Sequence, residues 1–187
     1  MIDDKSLDRA ILSGAKAGLI VRVEDGVLQV LGDNWAAETP MPRLINHLRE
    51  TLGSLVTILG TIPEEGDCFK IWKTKGEYTV QDVMADTVSR ALLDGEEEQE
   101  LLATPLSWGP WKLWQTKSGT IVGQTASALG MMDMPAALDT LGAMRWVDYS
   151  TGERVACLPY IPDDPDKRAL WKALEAVRWV WKEEPEE

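Results

Sequence analysis

Chemically reactive side chains are few in this chain, and their spacing does not form a catalytic set. The chain has one histidine, His47, and two cysteines, Cys68 and Cys157, which lie far apart in apolar, strand-like runs. Zinc sites take nitrogen and sulfur ligands in sets of three or four. We therefore expect no metal site. We expect His47 on the polar side of a helix, and both cysteines as buried thiols in a reducing compartment.

Carboxylates and small-residue loops offer little more. The adjacent acidic pairs fall at predicted turns and termini, where capping and solubility explain them; they are Asp3-Asp4, Glu64-Glu65 and Asp163-Asp164. Residues 13–18 contain two glycines and a lysine but lack the strand-loop-helix order of a nucleotide site. Ser127 lacks the flanking glycines of a nucleophile elbow. We expect no enzymatic activity and no cofactor, with an active site of dispersed residues as the open alternative.

The charge of the chain limits the partners it can bind. Its 187 residues carry 31 acidic and 19 basic side chains, for a formal net charge of −12. This charge opposes attraction to nucleic acid or anionic lipid. Acidic residues concentrate in residues 94–100 and 183–187. We find neither a signal peptide nor an apolar run long enough to span a membrane, so we expect a cytoplasmic protein. We expect its partner to be another protein, either basic or nucleic-acid-binding, and we expect no membrane association.

A tryptophan-containing segment occurs twice and predicts two similar β-hairpins. Residues 69–80 read FKIWKTKGEYTV and residues 111–122 read WKLWQTKSGTIV. A looser third copy lies at residues 145–155. Each copy alternates large apolar residues with polar ones before a glycine-containing turn, as hairpin strands do. We expect a small α+β fold in which a helix followed by a hairpin is used repeatedly.

The alternation in these hairpins predicts two faces. Phe69 and Ile71, like Trp111 and Leu113, should face the core, and the intervening lysines and tryptophans should face outward. One interpretation is an exposed binding face that stacks on bases or on a partner's aromatic and arginine side chains. The other is that the tryptophan-rich last helix covers this face. The candidate partner-binding residues are Lys70, Trp72, Lys73, Lys75, Lys112, Trp114 and Lys117.

Helices and a further hairpin are indicated by apolar periodicity and turn residues. Asp25-Gly26 predicts a tight hairpin turn between residues 19–23 and 27–31. Helices are predicted over residues 6–16 and 42–59, and after Asp164-Pro165. A further helix, capped by residues 79–82, is predicted to reach about Leu93. The last helix should bury a stripe that includes Leu170 and Val177. Two short helices are predicted over residues 124–129 and 133–141, and a third hairpin over residues 144–158.

Residues 124–158 resemble a winged helix-turn-helix module. Ala126 and Gly130 match the small residue and the turn glycine of that motif, residues 134–141 would form its second helix, and residues 144–158 its wing. In DNA-binding members the second helix presents polar and basic side chains to the major groove. Here that helix offers Asp133 and Asp139 and no basic residue before Arg145. The resemblance therefore implies protein contact.

Together these features predict an organisation and a function. We expect an N-terminal α+β lobe with two hairpins (residues 1–93), an acidic linker (94–104), a winged-helix-like C-terminal α+β lobe (105–182) and an acidic tail (183–187). We expect a non-catalytic protein-binding or regulatory factor with an acidic, tryptophan-rich surface. Two alternatives are a phage- or plasmid-type inhibitor that mimics DNA, as anti-restriction and anti-CRISPR proteins do, and a nucleic-acid binder that uses the hairpin lysines and tryptophans. A homo-oligomer is compatible with each function.

Overall fold

The computed structural model of the chain describes residues 1–47, 49–85, 92–124, 131 and 136–181. Its helices are α1 (Asp4–Gly14), α2 (Met41–Asn46), α3 (Glu50–Leu59) and α4 (Pro165–Glu175). Its strands are β1 (Leu19–Glu24), β2 (Val27–Leu31), β3 (Trp35–Pro40), β4 (Cys68–Thr74), β5 (Glu77–Asp82), β6 (Glu97–Trp108), β7 (Trp111–Thr116), β8 (Ile121–Gln124), β9 (Ala136–Asp139), β10 (Met144–Asp148) and β11 (Glu153–Cys157). The chain is thus a mixed α and β protein in which antiparallel sheet dominates.

One continuous sheet contains all of these strands, in the order β5-β4-β1-β2-β3-β11-β10-β9-β6-β7-β8. The pairing of β3 with β11 joins the first part of the chain to its last hairpin. Within the described residues the main core lies on one face of this sheet, where α1 and α3 pack on each other and on the apolar side chains of the strands. The opposite face carries a smaller cluster around Leu31, Ala36 and Leu93.

The predicted hairpins and their turns are confirmed. Asp25 and Gly26 have φ values of 53° and 70°, and Lys75 and Gly76 have values of 52° and 93°. Positive φ at both central residues is the geometry that matches the right-handed twist of the flanking strands. The hairpins β7–β8 and β10–β11 also form where they were expected.

The predicted helix over residues 42–59 is divided into α2 and α3. His47 lies at the C-terminal cap of α2, and Arg49 is extended, with φ −63° and ψ 147°. The Asp4 carboxylate accepts hydrogen bonds from the backbone N–H of Glu50, at 2.5 Å, and of Thr51, at 3.3 Å. A carboxylate from α1 therefore serves the exposed amides at the start of α3, an interaction between distant residues that periodicity does not reveal.

Three other expectations were wrong. Residues 79–82 lie in β5 and do not form a helix cap, and residues 97–104 form part of β6 and not a linker. Residues 86–91 of the helix expected after that cap lie outside the described residues. The second helix of the winged-helix resemblance is wrong for Ala136–Asp139, which form β9 between β6 and β10. In each case cross-strand pairing overrides the local preference. Gln124 lies in β8 and residues 140–141 form a turn, so the helix prediction is wrong there too. The remaining parts of the two predicted short helices, residues 125–129 and 133–135, lie outside the described residues. The division into two lobes stays a prediction.

Within the described part of the chain, the repeated unit of a helix and a hairpin is seen only in part. Helix α1 precedes β1–β2 and α3 precedes β4–β5, but strand β6 precedes β7–β8 and strand β9 precedes β10–β11. The last helix forms with Asp164 as its cap, yet only Trp171 of α4 is buried, and Leu170 is 49% exposed. Of the predicted stripe, Ala173 and Val177 are also exposed, whereas Leu174 is half-buried and packs on the cluster that contains Trp171. None of the described helices is long or apolar enough to span a membrane.

Candidate functional site

The two tryptophan hairpins do not form one surface. β4 is second from one end of the strand order and β7 is second from the other, with seven strands between them. Lys70, Lys75, Lys112 and Lys117 are exposed. Trp72 is half-buried, and the half-buried Lys73 has its Nζ 3.4 Å from the Tyr78 hydroxyl. The candidate residues predicted from the sequence therefore fall into two separate groups.

Trp114 belongs to the core, and its predicted outward orientation was wrong. It is 7% exposed, its Nε1 donates to Gln124 Oε1 at 2.8 Å, and its ring meets Trp146 edge-on with centroids 5.9 Å apart. On the other face of β7, Trp171 of α4 packs on Leu113 and donates from Nε1 to the Ile121 carbonyl at 2.9 Å. The last helix therefore covers the face of β7 opposite to Trp114. The alternative expectation, that this helix covers the face with Trp114, was also wrong.

Histidine and cysteine do not assemble a chemical centre among the described residues. His47 is exposed, as expected. Cys68 and Cys157 are buried and form no disulfide bond, and burial raises the pKa of Cys68. No group of three or more His, Cys, Asp or Glu side chains in the described ranges could hold a metal ion.

A polar row crosses the face of the sheet that is opposite the main core. Cross-strand register aligns Arg22 of β1, Gln29 of β2, Glu38 of β3 and Arg154 of β11. Gln29 Nε2 donates to Glu38 Oε1 at 2.7 Å, and Arg154 Nε lies 2.9 Å from Glu38 Oε2. The first three side chains are buried, whereas the Arg154 side chain is 45% exposed. Arg154 is thus anchored on a buried acid at the point where the row opens to solvent.

A second buried pair lies beside this opening. Arg145 of β10 donates from Nη2 to Asp139 Oδ2 at 2.8 Å, and from Nη1 to the Leu93 carbonyl at 2.9 Å. Asp139 Oδ1 accepts from the backbone N–H of Ala143 at 2.8 Å. These bonds hold residues 92–95 against the sheet. Gly95 is required there, because a Cβ at this position would lie 2.1 Å from Asp139 Oδ2.

An open pocket of about 560 Å³ occupies the end of the polar row. Its lining consists of Gly95, Glu96, Glu97, Arg145, Val147, Tyr149, Gly152 and Arg154. Tyr149 is 80% exposed, and its hydroxyl donates to Glu97 Oε2 at 3.1 Å. This bond and the negative charge of Glu97 raise the pKa of Tyr149. The pocket therefore combines an exposed aromatic ring with the exposed side chains of two glutamates.

A neighbouring depression extends the acidic surface along β6. It is about 290 Å³ in volume and shares Glu97 with the pocket. Its lining is Glu97, Glu98, Gln99, Glu100, Ala136 and Ala137. The exposed acids Glu97, Glu98 and Glu100 lie along the first residues of β6. This segment is held in strand conformation by its pairing with β9. The acidic run of residues 94–100 is thus held by the sheet at a pocket.

The sequence contained only part of the signal for this site. The acidic run was noted, but its strand conformation was not. In Glu153-Arg154-Val155 the alternation places Arg154 on the face opposite to Val155, which faces the main core. Tyr149 precedes the glycine of a hairpin turn and had no distinguishing feature in the sequence. No protein-family model, curated protein or solved structure matches this chain.

Proposed function

We propose that this chain is a protein-binding or regulatory factor, acting without catalysis, that takes a basic segment of a partner protein in the pocket at Glu96, Glu97 and Tyr149. The observation that carries the proposal is the combination of an exposed aromatic ring with two exposed glutamates at one open pocket. Arginine and lysine are attracted both to carboxylates and to the face of an aromatic ring.

The two arginines of the pocket do not oppose this proposal. Arg154 is paired with buried Glu38, and Arg145 is paired with buried Asp139. Each guanidinium is therefore balanced by an acid beneath the surface, and the net charge presented by the pocket comes from Glu96 and Glu97. The adjoining carboxylates on β6 and the total charge of −12 have the same sign. A positively charged segment is attracted by both the local and the overall field.

The surface of a nucleic-acid-binding protein is one source of such a segment, since it is rich in lysine and arginine. The proposal replaces the tryptophan-rich surface expected from the sequence by an acidic one, because Trp114 is buried. A binding role for Lys70, Trp72, Lys73, Lys75, Lys112 and Lys117 stays a prediction.

Fluorescence anisotropy with a labelled, arginine-rich peptide tests the proposal. Changing both Glu96 and Glu97 to Gln should weaken binding by about tenfold, because each partly exposed ion pair contributes up to about 1 kcal/mol. Tyr149→Ala should weaken binding further at unchanged net charge. The matched control changes Glu64 and Asp33, which are both exposed and distant in sequence, to Gln and Asn.

Two results would contradict the proposal. In one, the double Gln variant and the control lose affinity equally, which would mean that only overall charge matters. In the other, the protein binds a short DNA duplex more tightly than the peptide. That outcome would favour the hairpin lysines as a nucleic-acid site, and its affinity should fall steeply with added salt.

A further inference from the structure

The two edge strands of the sheet differ in whether another segment pairs with them. At the β8 end, Gly123 donates to the Tyr160 carbonyl at 3.0 Å and accepts from the Tyr160 N–H at 2.7 Å. The segment around Tyr160 and helix α4 therefore cover that edge. At the other end, β5 pairs only with β4. In the described part of the chain, no strand lies beyond β5.

The hairpin register identifies the backbone groups that point outward from this edge. The two-residue turn at Lys75-Gly76 is closed by Thr74 and Glu77, which form a hydrogen-bonded pair in such hairpins. Hydrogen-bonded and non-bonded pairs alternate along antiparallel strands. The N–H and C=O groups of Tyr78, Val80 and Asp82 therefore point away from β4. No described residue provides a backbone hydrogen bond to these three positions.

The β5 edge lacks the features that usually prevent strand pairing. Edge strands are commonly protected by proline, by charged side chains such as lysine, or by a β-bulge. β5 has the sequence EYTVQD, with neither proline nor lysine, its two acids lie only at its ends, and its six pairs with β4 continue without a bulge. Tyr, Thr and Val at its centre also favour strand structure. This edge is therefore a competent template for a further strand.

The geometry points to a second copy of this chain as that strand, with β5 of each copy paired antiparallel about a two-fold axis at Val80. In this register each of the three residues with outward-pointing backbone groups lies directly opposite one such residue of the other copy. Val80 then meets Val80 of the other copy, and Tyr78 meets Asp82 on each side. Three such pairs exchange about six backbone hydrogen bonds.

The side chains of β5 are complementary to themselves in this register. Residues directly opposite in antiparallel strands share a face. Lys73, Tyr78 and the Asp82 of the other copy therefore form one cross-strand row. Lys73 Nζ already lies 3.4 Å from the Tyr78 hydroxyl and 4.5 Å from the ring centroid. An acid placed beyond Tyr78 completes a row from cation to hydroxyl to anion, and symmetry produces this row twice.

The remaining positions also match. At the centre, Ile71 and Val80 meet the same residues of the second copy in an apolar row. On this face α3 packs beside β5, with Val56 and Leu59 half-buried. On the other face exposed Thr79 opposes exposed Gln81, and both can donate and accept hydrogen bonds. No like charges are directly opposed, so the second copy fits better than a strand of unrelated charge pattern.

Sedimentation velocity over a range of protein concentrations tests this inference. The unchanged protein should form dimers at micromolar concentrations. Val80→Pro removes an N–H that points away from β4 and has no backbone partner among the described residues of its own copy, so the folded chain should stay intact and become monomeric. Thr79→Pro is the matched comparison: it removes an N–H bonded to β4, and it should disrupt the hairpin itself. Circular dichroism and thermal unfolding distinguish these two effects.

A charge exchange tests the register. Asp82→Lys opposes a lysine to the Tyr78 and Lys73 of the other copy, and should weaken the dimer by about tenfold or more. Adding Lys73→Glu to Asp82→Lys restores an opposite-charge row and should recover dimer formation. A protein that is monomeric at every concentration, a dimer unaffected by Val80→Pro, or failure of the charge exchange to recover dimers would overturn the inference. None of these readouts depends on peptide binding at the acidic pocket.

Discussion

Replacing Glu153 by Gln should lower the free energy of unfolding by more than the replacement of an exposed glutamate does. Glu153 is fully buried and binds four separate parts of the chain. Its Oε1 accepts from Arg49 Nη1 and from Thr39 Oγ1, each at 3.0 Å. Its Oε2 accepts from the Ile2 N–H at 2.8 Å and from Thr151 Oγ1 at 3.2 Å. A single carboxylate thus connects β3, the start of α3, the last hairpin and residue 2.

The cost has two physical sources. Glutamine has no charge, so the buried guanidinium of Arg49 loses its counterion, and removing one member of a buried pair costs about 3–5 kcal/mol. The new amide group is a donor facing the Ile2 N–H, so one buried donor is left unsatisfied at about 1–3 kcal/mol. Glutamine keeps one acceptor oxygen and the shape of the side chain, so we expect the lower part of this range, about 3 kcal/mol. The melting temperature of a chain of this size should fall by roughly 6–12 °C.

Urea unfolding followed by tryptophan fluorescence and by circular dichroism measures this change. The exposed Glu64→Gln is the control and should stay within about 0.5 kcal/mol of the unchanged protein. Arg49→Met combined with Glu153→Gln should cost less than the sum of the single changes, since the guanidinium is then absent. A loss below about 1 kcal/mol for Glu153→Gln, with an unchanged urea dependence, would refute this account of the buried cluster.

Three further predictions concern separate parts of the fold. Glu97→Gln should lower the pKa of Tyr149 towards the ordinary tyrosine value, because the hydrogen bond to Glu97 and the charge of Glu97 raise it. Absorbance titration of the phenol, corrected with Tyr149→Phe, measures this pKa. An unchanged titration would contradict the contact. Gly95→Ala should cost about 2 kcal/mol in urea unfolding, since its Cβ would displace the Asp139 carboxylate; full stability would be inconsistent with this packing. Asp3→Ala should cost about 0.5–1 kcal/mol at neutral pH by removing the cap of α1. Because bonds to Ser6 lower the pKa of Asp3 in the folded state, its contribution is complete above the unfolded value of about 3.9 and is lost as pH falls through the folded value, so the two stabilities should converge in acid.

Local features were the predictable ones. The tight turns at Asp25-Gly26 and Lys75-Gly76 need positive φ, which Asp25 and the two glycines tolerate, and both turns lie between strands with alternating apolar residues. The start of α4 was also correct, because Asp164 accepts from the Lys167 N–H at 3.0 Å as an N-terminal cap. Such interactions span only a few residues, so their sequence pattern is sufficient.

Equivalent positions in the repeated hairpin have different environments. Trp72 is half-buried and Trp114 is in the core, although both follow the same Lys-x-Trp pattern. β7 lies between β6 and β8 with apolar side chains on both faces, whereas β4 is next to the open edge. Burial depends on which elements cover a strand, and this is not encoded in the strand alone.

The candidate site depended even more on distant pairing. Glu97–Glu100 has low intrinsic strand preference, yet it pairs with β9 because the whole of β6 completes the sheet. Arg154 is anchored by Glu38 only because β3 is the neighbour of β11. The buried pair of Arg145 and Asp139 likewise required β9 to form beside β10, where a helix had been expected.

The sequence by itself determined the acidic charge, the hairpins, their turns, the presence of the first helix and the start of the last one, because these follow from composition and from contacts between near neighbours. Only the tertiary structure decided the order of the eleven strands, the covered side of each tryptophan, the acidic pocket and the open β5 edge. Those features arise when residues far apart in the chain are brought into hydrogen-bonding register. The free energy of such pairing depends on both strands, so the sequence of one strand alone does not determine it.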